Sequence, residues 1–432
     1  MKDQPANSER RNFLKGAGGA LGAAMATGFP AIIRAQTVTN AIKVGLVGCG
    51  GRGSGAASQA LAADDYAELT AVADVDEAQV ERCLRMAKRS EKAAARVKAD
   101  PDKQYLGLDG YQKVIDSGPD VILLATPPGF RPQHLAACIA AGKHVFCEKP
   151  IAVDAPGVRS VLDTTEKARA KNLSLVSGFC WRYNNMIQDT FQQVENGAIG
   201  KLAAYYADYY TNPVKPMPPA SSRPADMSDV EWQIRNWYNF VWLCGDSLVE
   251  QAIHSADKIA WAMHDEPPVS CVGVGGRTIP AEGGNIYDHF EINYLYANGV
   301  RAFLANRQIT GCFNENSDYL LGTDGTCSIG RGGPRIEGKN NWTFTGQQYN
   351  MYQREHDVLF QAIRKNQPVN NGKRMATSTM LGIMGRMAAY TGQQLTWDQA
   401  MNSQEKLVPE NLDWNGKFEP PPRAQPGITK FM

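Results

Sequence analysis

The 432-residue chain lacks any C-x-x-C pair, any low-complexity tract, any internal repeat and any excess of charge of one sign. Each absence removes a class of function. Nine cysteines, odd in number and scattered from Cys49 to Cys327, make neither a disulfide framework nor a structural zinc site. Lys plus Arg number 45 against 44 for Asp plus Glu, a net charge of +1, so nucleic acid is not an expected partner: its phosphates call for a clustered basic surface. Nor is a stable membrane span expected, because the run Gly16 to Pro30 is short and rich in Gly and Ala, whereas a spanning helix needs roughly 20 apolar residues. With only six histidines and no third ligand beside its one helical Glu/His pair, the chain is expected to hold no metal. What remains is 43% hydrophobic and 21% charged, the profile of an ordered globular protein. At roughly 150 residues per domain, the length corresponds to two or three domains.

Residues 1–35 read as an address. Arg10-Arg11 with Phe13-Leu14-Lys15, the mild apolar run and then Ile33-Arg34-Ala35 resemble a twin-arginine export signal. That resemblance implies a periplasmic or otherwise exported protein, folded before export with its cofactor tightly held. Folding in a reducing compartment also accounts for nine cysteines left as thiols.

Ala41 to Val47 is a short β-branched run that ends in Gly48-Cys49-Gly50-Gly51-Arg52-Gly53, and Gly55 to Ala63 then turns Ala-rich and helical. This is G-x-G-x-x-G between a strand and a helix. Gly48 permits the tight turn, Gly50 lets the backbone approach a pyrophosphate, and Gly53 allows close helix packing. A second strand, Leu69 to Asp74, places a carboxylate 26 residues after Gly48, where it can accept the ribose hydroxyls. Asp74 favours NAD because it would repel the 2′-phosphate of NADP, and Arg52 in the loop could offset that, so NADP stays open.

Asp120 to Ala125 reads as a buried parallel strand ending in Thr126-Pro127-Pro128, with a helix from Pro132 to Ala141 and a further strand, His144 to Cys147, running into Glu148-Lys149-Pro150. The Gly-rich turn, Ala-Thr-Pro, Ala-Gly-Lys-His-Val and Glu-Lys-Pro together resemble the Gfo/Idh/MocA oxidoreductase family, to which glucose-fructose oxidoreductase and inositol dehydrogenase belong. The resemblance implies an α/β protein: an N-terminal Rossmann domain joined to a C-terminal α+β domain with an open, mostly antiparallel sheet. The expected boundaries are a signal at 1–35, the Rossmann domain at 36–153, a substrate and oligomerisation domain at 154–408, and a Pro-rich tail at 409–432. Cofactor contacts are expected from Gly48, Gly50, Gly51, Arg52, Gly53, Asp74, Thr126, Pro127, Glu148 and Lys149. The resemblance also implies a homo-oligomer, dimer or tetramer.

Hydride transfer from a secondary alcohol to nicotinamide needs a base for the hydroxyl proton and a cation or donor for the developing alkoxide. Lys149, at the C-terminal end of a parallel strand, and His254 supply both. Glu250 and His254 are four apart and share a helical face. The family stretch Asp-x-Gly-x-His-x-x-Asp is matched by His254 and Asp257, while Glu250 replaces the first aspartate and Ala252 the glycine. Glu250 then orients His254, touches substrate or caps the helix. Arg182 and Tyr183, in Gly178 to Tyr183, are expected as substrate donors, Asp257 as a further substrate-site residue, and His289 as a candidate for the cleft. The aromatic stretch of Tyr205, Tyr206, Tyr209, Tyr210, Trp232, Trp237, Tyr238 and Trp242 suits either sugar stacking or buried strands. These features point to an NAD(P)-dependent oxidoreductase acting on a sugar or cyclitol. The alternative is a glycoside hydrolase or lyase that oxidises a ring carbon transiently and then returns the hydride.

Overall fold

The computed structural model describes residues 40–279 and 283–432, so the expected export signal lies outside the described residues. The first sheet is built from short runs buried on both faces, as a sheet covered by helices requires. Its strands are β1 (Ile42–Val47), β2 (Ala67–Asp74), β3 (Gln104–Leu106), β4 (Val121–Leu124), β5 (His144–Cys147) and β6 (Leu175–Ser177). They are all parallel, in the order β3-β2-β1-β4-β5-β6. The order reverses between β1 and β4, and in such sheets the ligand crevice opens at the carboxyl ends of those strands. Helices α1 (Gly51–Ala63), α2 (Glu77–Ala87), α3 (Arg131–Ala140) and α4 (Ala155–Ala170) make four of the five crossovers, and the short helix Gly110–Asp116 makes the one from β3 to β4. Asp154 caps α4, its carboxylate accepting the Gly157 N–H at 2.8 Å.

The second sheet has nine strands, and only its β7–β10 pair is parallel. Its centre is β7 (Leu202–Thr211), β8 (Ser270–Gly276), β9 (His289–Leu295), β10 (Arg301–Gln308) and β11 (Glu315–Gly322). Alternation sets its two faces. Along β9, Phe290, Ile292 and Tyr294 are buried while Glu291 is exposed, so odd positions look outward. That outward face carries Tyr206 stacked on Phe303 at 4.8 Å, with Val272, Val274, Tyr319 and Leu321 exposed around them.

Helix α5 (Asp229–Arg235) packs in a small core of its own, α6 (Ile253–Ala262) lies against β7 and β10, α7 (Met351–Arg364) packs beside α1 on the first sheet, and α8 (Gly372–Thr391) touches β6 of the first sheet and β8 and β9 of the second. Helix α8 is buried along nearly its whole length, and one continuous apolar cluster joins Val47 and Val145 of the first sheet to Ile292 and Leu304 of the second. Arg386, fully buried on α8, donates to the Val153 carbonyl at 2.6 Å and pairs with Glu405 at 2.9 Å. From Ser403 onward the chain has no helix or strand and lies along its own surface, with the Leu407 N–H donating to Asp154 at 2.9 Å. All nine cysteines are free, and only Cys312 is exposed. Among the described residues no helix is long and apolar enough to cross a membrane.

Asp246 is the polar knot of this interior. It is fully buried at φ +85°, and its carboxylate accepts from the Ser247 N–H at 2.5 Å, the Tyr287 N–H at 2.8 Å and the Tyr390 hydroxyl. Burial pushes the carboxyl up to about 6 against those three bonds. Asp246→Ala strands buried donors and leaves a strained backbone, so urea unfolding is expected to show a loss of about 3 kcal/mol. An unchanged midpoint would refute the knot.

Candidate functional site

The carboxyl ends of β1 and β4 open into a cleft of about 540 Å³. Its floor is the glycine loop, and the structure gives each glycine a reason. Gly48 has φ +96°, and a Cβ there would lie 2.7 Å from the Ala125 carbonyl carbon; at Gly53 a Cβ would fall 1.8 Å from the Gly48 oxygen. At Gly50 and Gly51 a Cβ would meet nothing within 4 Å, because those positions face the open cleft. No side chain caps the N-terminus of α1, so its first N–H groups and the positive end of its dipole are left for an anion. Gly48, Gly50, Gly51, Gly53, Asp74, Thr126 and Pro127 all line this cleft, and the donor set suits a dinucleotide. Asp74 stands at the end of β2, held by N–H donors from Cys49 at 2.6 Å, Val75 at 2.7 Å and Asp76 at 3.0 Å. Burial raises its carboxyl above the ordinary range, and those bonds oppose the shift.

Arg52 lines the cleft too, but its guanidinium is committed elsewhere, which corrects its expected role as counter-charge to a 2′-phosphate. It pairs with Glu148, with Glu355 of α7 at 2.6 Å and with Gln59 at 2.8 Å, between the rings of Phe146 and Tyr352. Burial works against this charge, and Glu148 and Glu355 overcome it, so Arg52 ends above its ordinary pKa. Glu355 is driven well above the carboxylate range by burial and by the charge of Glu148.

Lys149 follows β5, its N–H donating to Glu148 at 3.1 Å. Its ammonium reaches the short helical turn Ser247–Glu250, donating to the Glu250 carbonyl at 2.5 Å and to Oε1 at 3.1 Å. Gln251 donates to the other oxygen of Glu250 and accepts from the Tyr209 hydroxyl at 3.1 Å. The structure gives Glu250 a partnership with Lys149, a role outside the three expected for it, and places it on a different helix from His254, which corrects their expected shared face. His254, on α6, is half-buried, with Nδ1 sequestered and without a hydrogen-bond partner. Burial pushes it well below its usual range, and the positive charges of Lys149 and Lys258 push the same way. It is therefore a neutral imidazole, in surroundings that disfavour its protonated form.

Other expected contacts are corrected. Arg182 and Asp257 are buried and spent on each other at 3.0 Å; Arg182 also pairs with Asp265 at 2.6 Å and lies over the Trp261 ring. Tyr183 donates to Asn371 at 2.6 Å and accepts from Arg374 at 3.2 Å. None of the three lines the cleft, and the same is true of Glu148 and Lys149, expected as cofactor contacts, and of Glu250 and His254. His289 occupies an odd position of β9, on the outward face, bound to Asp288 at 2.8 Å. Of the aromatic stretch, Trp237 and Tyr238 do line the cleft, whereas Tyr205 and Trp242 are fully buried. Sequence reading missed Tyr111, Phe130 and His134 on one wall and Arg235 on the other. Among the described residues no group of three or more His, Cys, Asp or Glu is placed to hold a metal ion.

Residues 42–175 match the Gfo/Idh/MocA group, described as an oxidoreductase family with an NAD-binding Rossmann fold. The chain is 30% identical over 160 residues to a myo-inositol 2-dehydrogenase of Thermotoga maritima, covering 37% of this chain and 42% of that protein. It is 25% identical over 289 residues to an inositol 2-dehydrogenase of Rubrobacter xylanophilus, covering 67% and 71%. Solved structures share the fold. A levoglucosan dehydrogenase in complex with NADH and levoglucosan superposes with a TM-score of 0.65 at 17% identity, over 83% of this chain and 99% of that one. The WlbA dehydrogenase of Bordetella pertussis with NADH and UDP-GlcNAcA gives 0.63 at 20%, over 83% and 99%.

His134 supplies a pH test of the cleft wall. It stacks on Tyr111 at 4.1 Å, and burial, reinforced by Arg131, pushes it from 6.5 down to about 3. Between those values the unfolded chain binds a proton that the folded chain refuses. The stabilisation is therefore complete above 6.5 and is lost as pH falls toward 3. His134→Phe keeps the stack and should flatten the slope of unfolding free energy in that window by about 1.4 kcal/mol per pH unit, one proton's worth. Urea unfolding across the window measures it, and parallel slopes would contradict the assignment.

Proposed function

We propose, from the match of residues 42–175 to the Gfo/Idh/MocA oxidoreductase family with its NAD-binding Rossmann fold, that this chain moves a hydride between a ring C–OH of a sugar or cyclitol and a tightly held NAD. The observation that carries the proposal is the meeting of Lys149 with Glu250 at the end of β5, on the element that neutral His254 follows. The names of the relatives, inositol dehydrogenases and a levoglucosan dehydrogenase, support a polyhydroxylated ring as substrate.

When bound, NAD supplies the hydride acceptor or donor. Gly50, Gly51 and the open N-terminus of α1 hold its pyrophosphate, and Asp74 accepts its ribose hydroxyls. The Lys149 ammonium, fixed by Glu250, donates to the substrate oxygen and stabilises negative charge as it develops there. His254, a neutral imidazole in the free protein, is the base assigned to the hydroxyl proton, against the depression that burial imposes on it. With Arg52 occupied by Glu148 and Glu355, no cation of the glycine loop is left to welcome a 2′-phosphate, which supports NAD over NADP.

Lys149→Ala should cut turnover by about 10²- to 10⁴-fold while the cofactor stays bound; full activity in that variant would sink the assignment. The test mixes purified protein with free sugars, cyclitols and aryl glycosides while nicotinamide absorbance is followed. Stable reduction by a free sugar or cyclitol supports the dehydrogenase. Release of aglycone without lasting reduction would move the chain to the redox-neutral glycosidase alternative.

Two further readings belong to the same proposal. Arg10 and Arg11 with the apolar run direct export by the twin-arginine route, so replacing both with Lys should hold the protein in the cytoplasm. The outward sheet face around Tyr206 and Phe303 pairs with a second copy, since contiguous exposed apolar surface of this kind marks an interface. Tyr206→Glu should then lower the mass seen by light scattering, and an unchanged mass would argue against that face.

A further inference from the structure

One wall of the cofactor cleft comes from a segment to which no role has yet been given. Opposite the glycine loop and α2 stand Lys215, Ile234, Arg235, Trp237 and Tyr238. Helix α5 carries the first part of this wall, and its Arg235 crosses the cleft to Asp76, pairing at 3.1 Å. Asp76 lies two residues beyond Asp74 and caps α2 through its other oxygen. The ion pair therefore bridges the two walls beside the ribose carboxylate.

The wall is braced from behind by the chain's last segment. Ser228, the cap of α5, donates to the Trp414 carbonyl; Gln233 donates to the Phe418 carbonyl at 2.6 Å; the Phe418 N–H returns to Asp229 at 3.2 Å. Val230, Ile234, Phe240, Trp242 and Leu243 form a small core of their own, against which Trp414 and Phe418 pack from the tail and Val75 and Leu108 from the Rossmann side. The same helix thus faces the cofactor cleft on one side and is clamped by the tail on the other.

We propose that α5 with Trp237, latched by Arg235–Asp76 and backed by the Trp414–Phe418 tail, is the cofactor-retaining wall of the site and sets how slowly NAD leaves. The inference rests on the NAD-binding reading of the cleft. It deepens that reading by naming the residues that make the cofactor a resident group.

The test needs no substrate. NADH bound to the purified full chain is chased with excess NAD, and its release is read from its fluorescence in wild type, Asp76→Asn, Arg235→Gln and the double variant. Asn keeps the cap on α2, and both side chains of the pair are partly exposed, so the variants fold. Asp76→Asn is expected to speed release about 2- to 5-fold, the loss of one partly exposed ion pair, and Arg235→Gln, which also loses the pair with Glu231 at 2.7 Å, at least as much. The double variant should be no faster than Arg235→Gln alone, because that change already removes the Asp76 pair together with the Arg235–Glu231 pair at 2.7 Å. Phe418→Ala, which removes the tail's ring from the small core around Trp242 and leaves the backbone bonds to Gln233 and Asp229, should also speed release. Release at the wild-type rate in both single variants, or multiplied effects in the double, overturns the latch; a wild-type rate in Phe418→Ala overturns the brace. Failure of the wild-type protein to bind NADH at all would overturn the cofactor reading itself, an outcome distinct from equal rates.

Discussion

One guanidinium between two buried carboxylates holds the site together. Arg52 rises from the first turn of α1, Glu148 closes β5 beside Lys149, and Glu355 arrives on α7 from the far end of the sequence. Breaking a buried ionic cluster by removing one member leaves uncompensated charge, which costs far more than the intact cluster contributes. The glycine loop, the lysine and the C-terminal helix are therefore fixed relative to one another. Burial and the charge of Glu148 push the Glu355 carboxyl upward, and Arg52 opposes that shift.

A second constraint acts through the apolar layer. Helix α8 is buried against both sheets, so the parallel and antiparallel halves share one interior. Asp246 and Arg386 are two of the polar groups within it, Asp246 accepting from Tyr287 and Arg386 reaching Val153 and Glu405. Lys149 and Glu250, which come from different halves, can meet with fixed geometry because the elements that carry them have no freedom to slide.

Much of this was legible in the sequence because it is local. The glycine spacing, the acid ending the second strand, Thr126-Pro127 and Glu148-Lys149 are each written within a few residues, and the strands and long helices followed from the same patterning. What was not legible depends on partners distant in the chain. Arg182 looked like a substrate donor because a sequence does not reveal that Asp257 and Asp265 will surround it. Arg52 looked free because Glu355 lies 303 residues away. His289 was misjudged by parity: one position along β9, Phe290 faces the helices, and so the histidine faces out. The second wall of the cleft left no local signal beyond Trp237 and Tyr238, whose aromatic rings suited several environments equally.

The distribution of thiols has a consequence of its own. Eight cysteines are buried and Cys312 alone is exposed, so the native chain offers a single reactive sulfur to solvent. Cys312 is thus a site where one label can be attached to the folded protein. The other eight become reactive only as the interior opens, so the number of sulfurs that take up a thiol reagent counts opening events, and the chain carries its own gauge of unfolding.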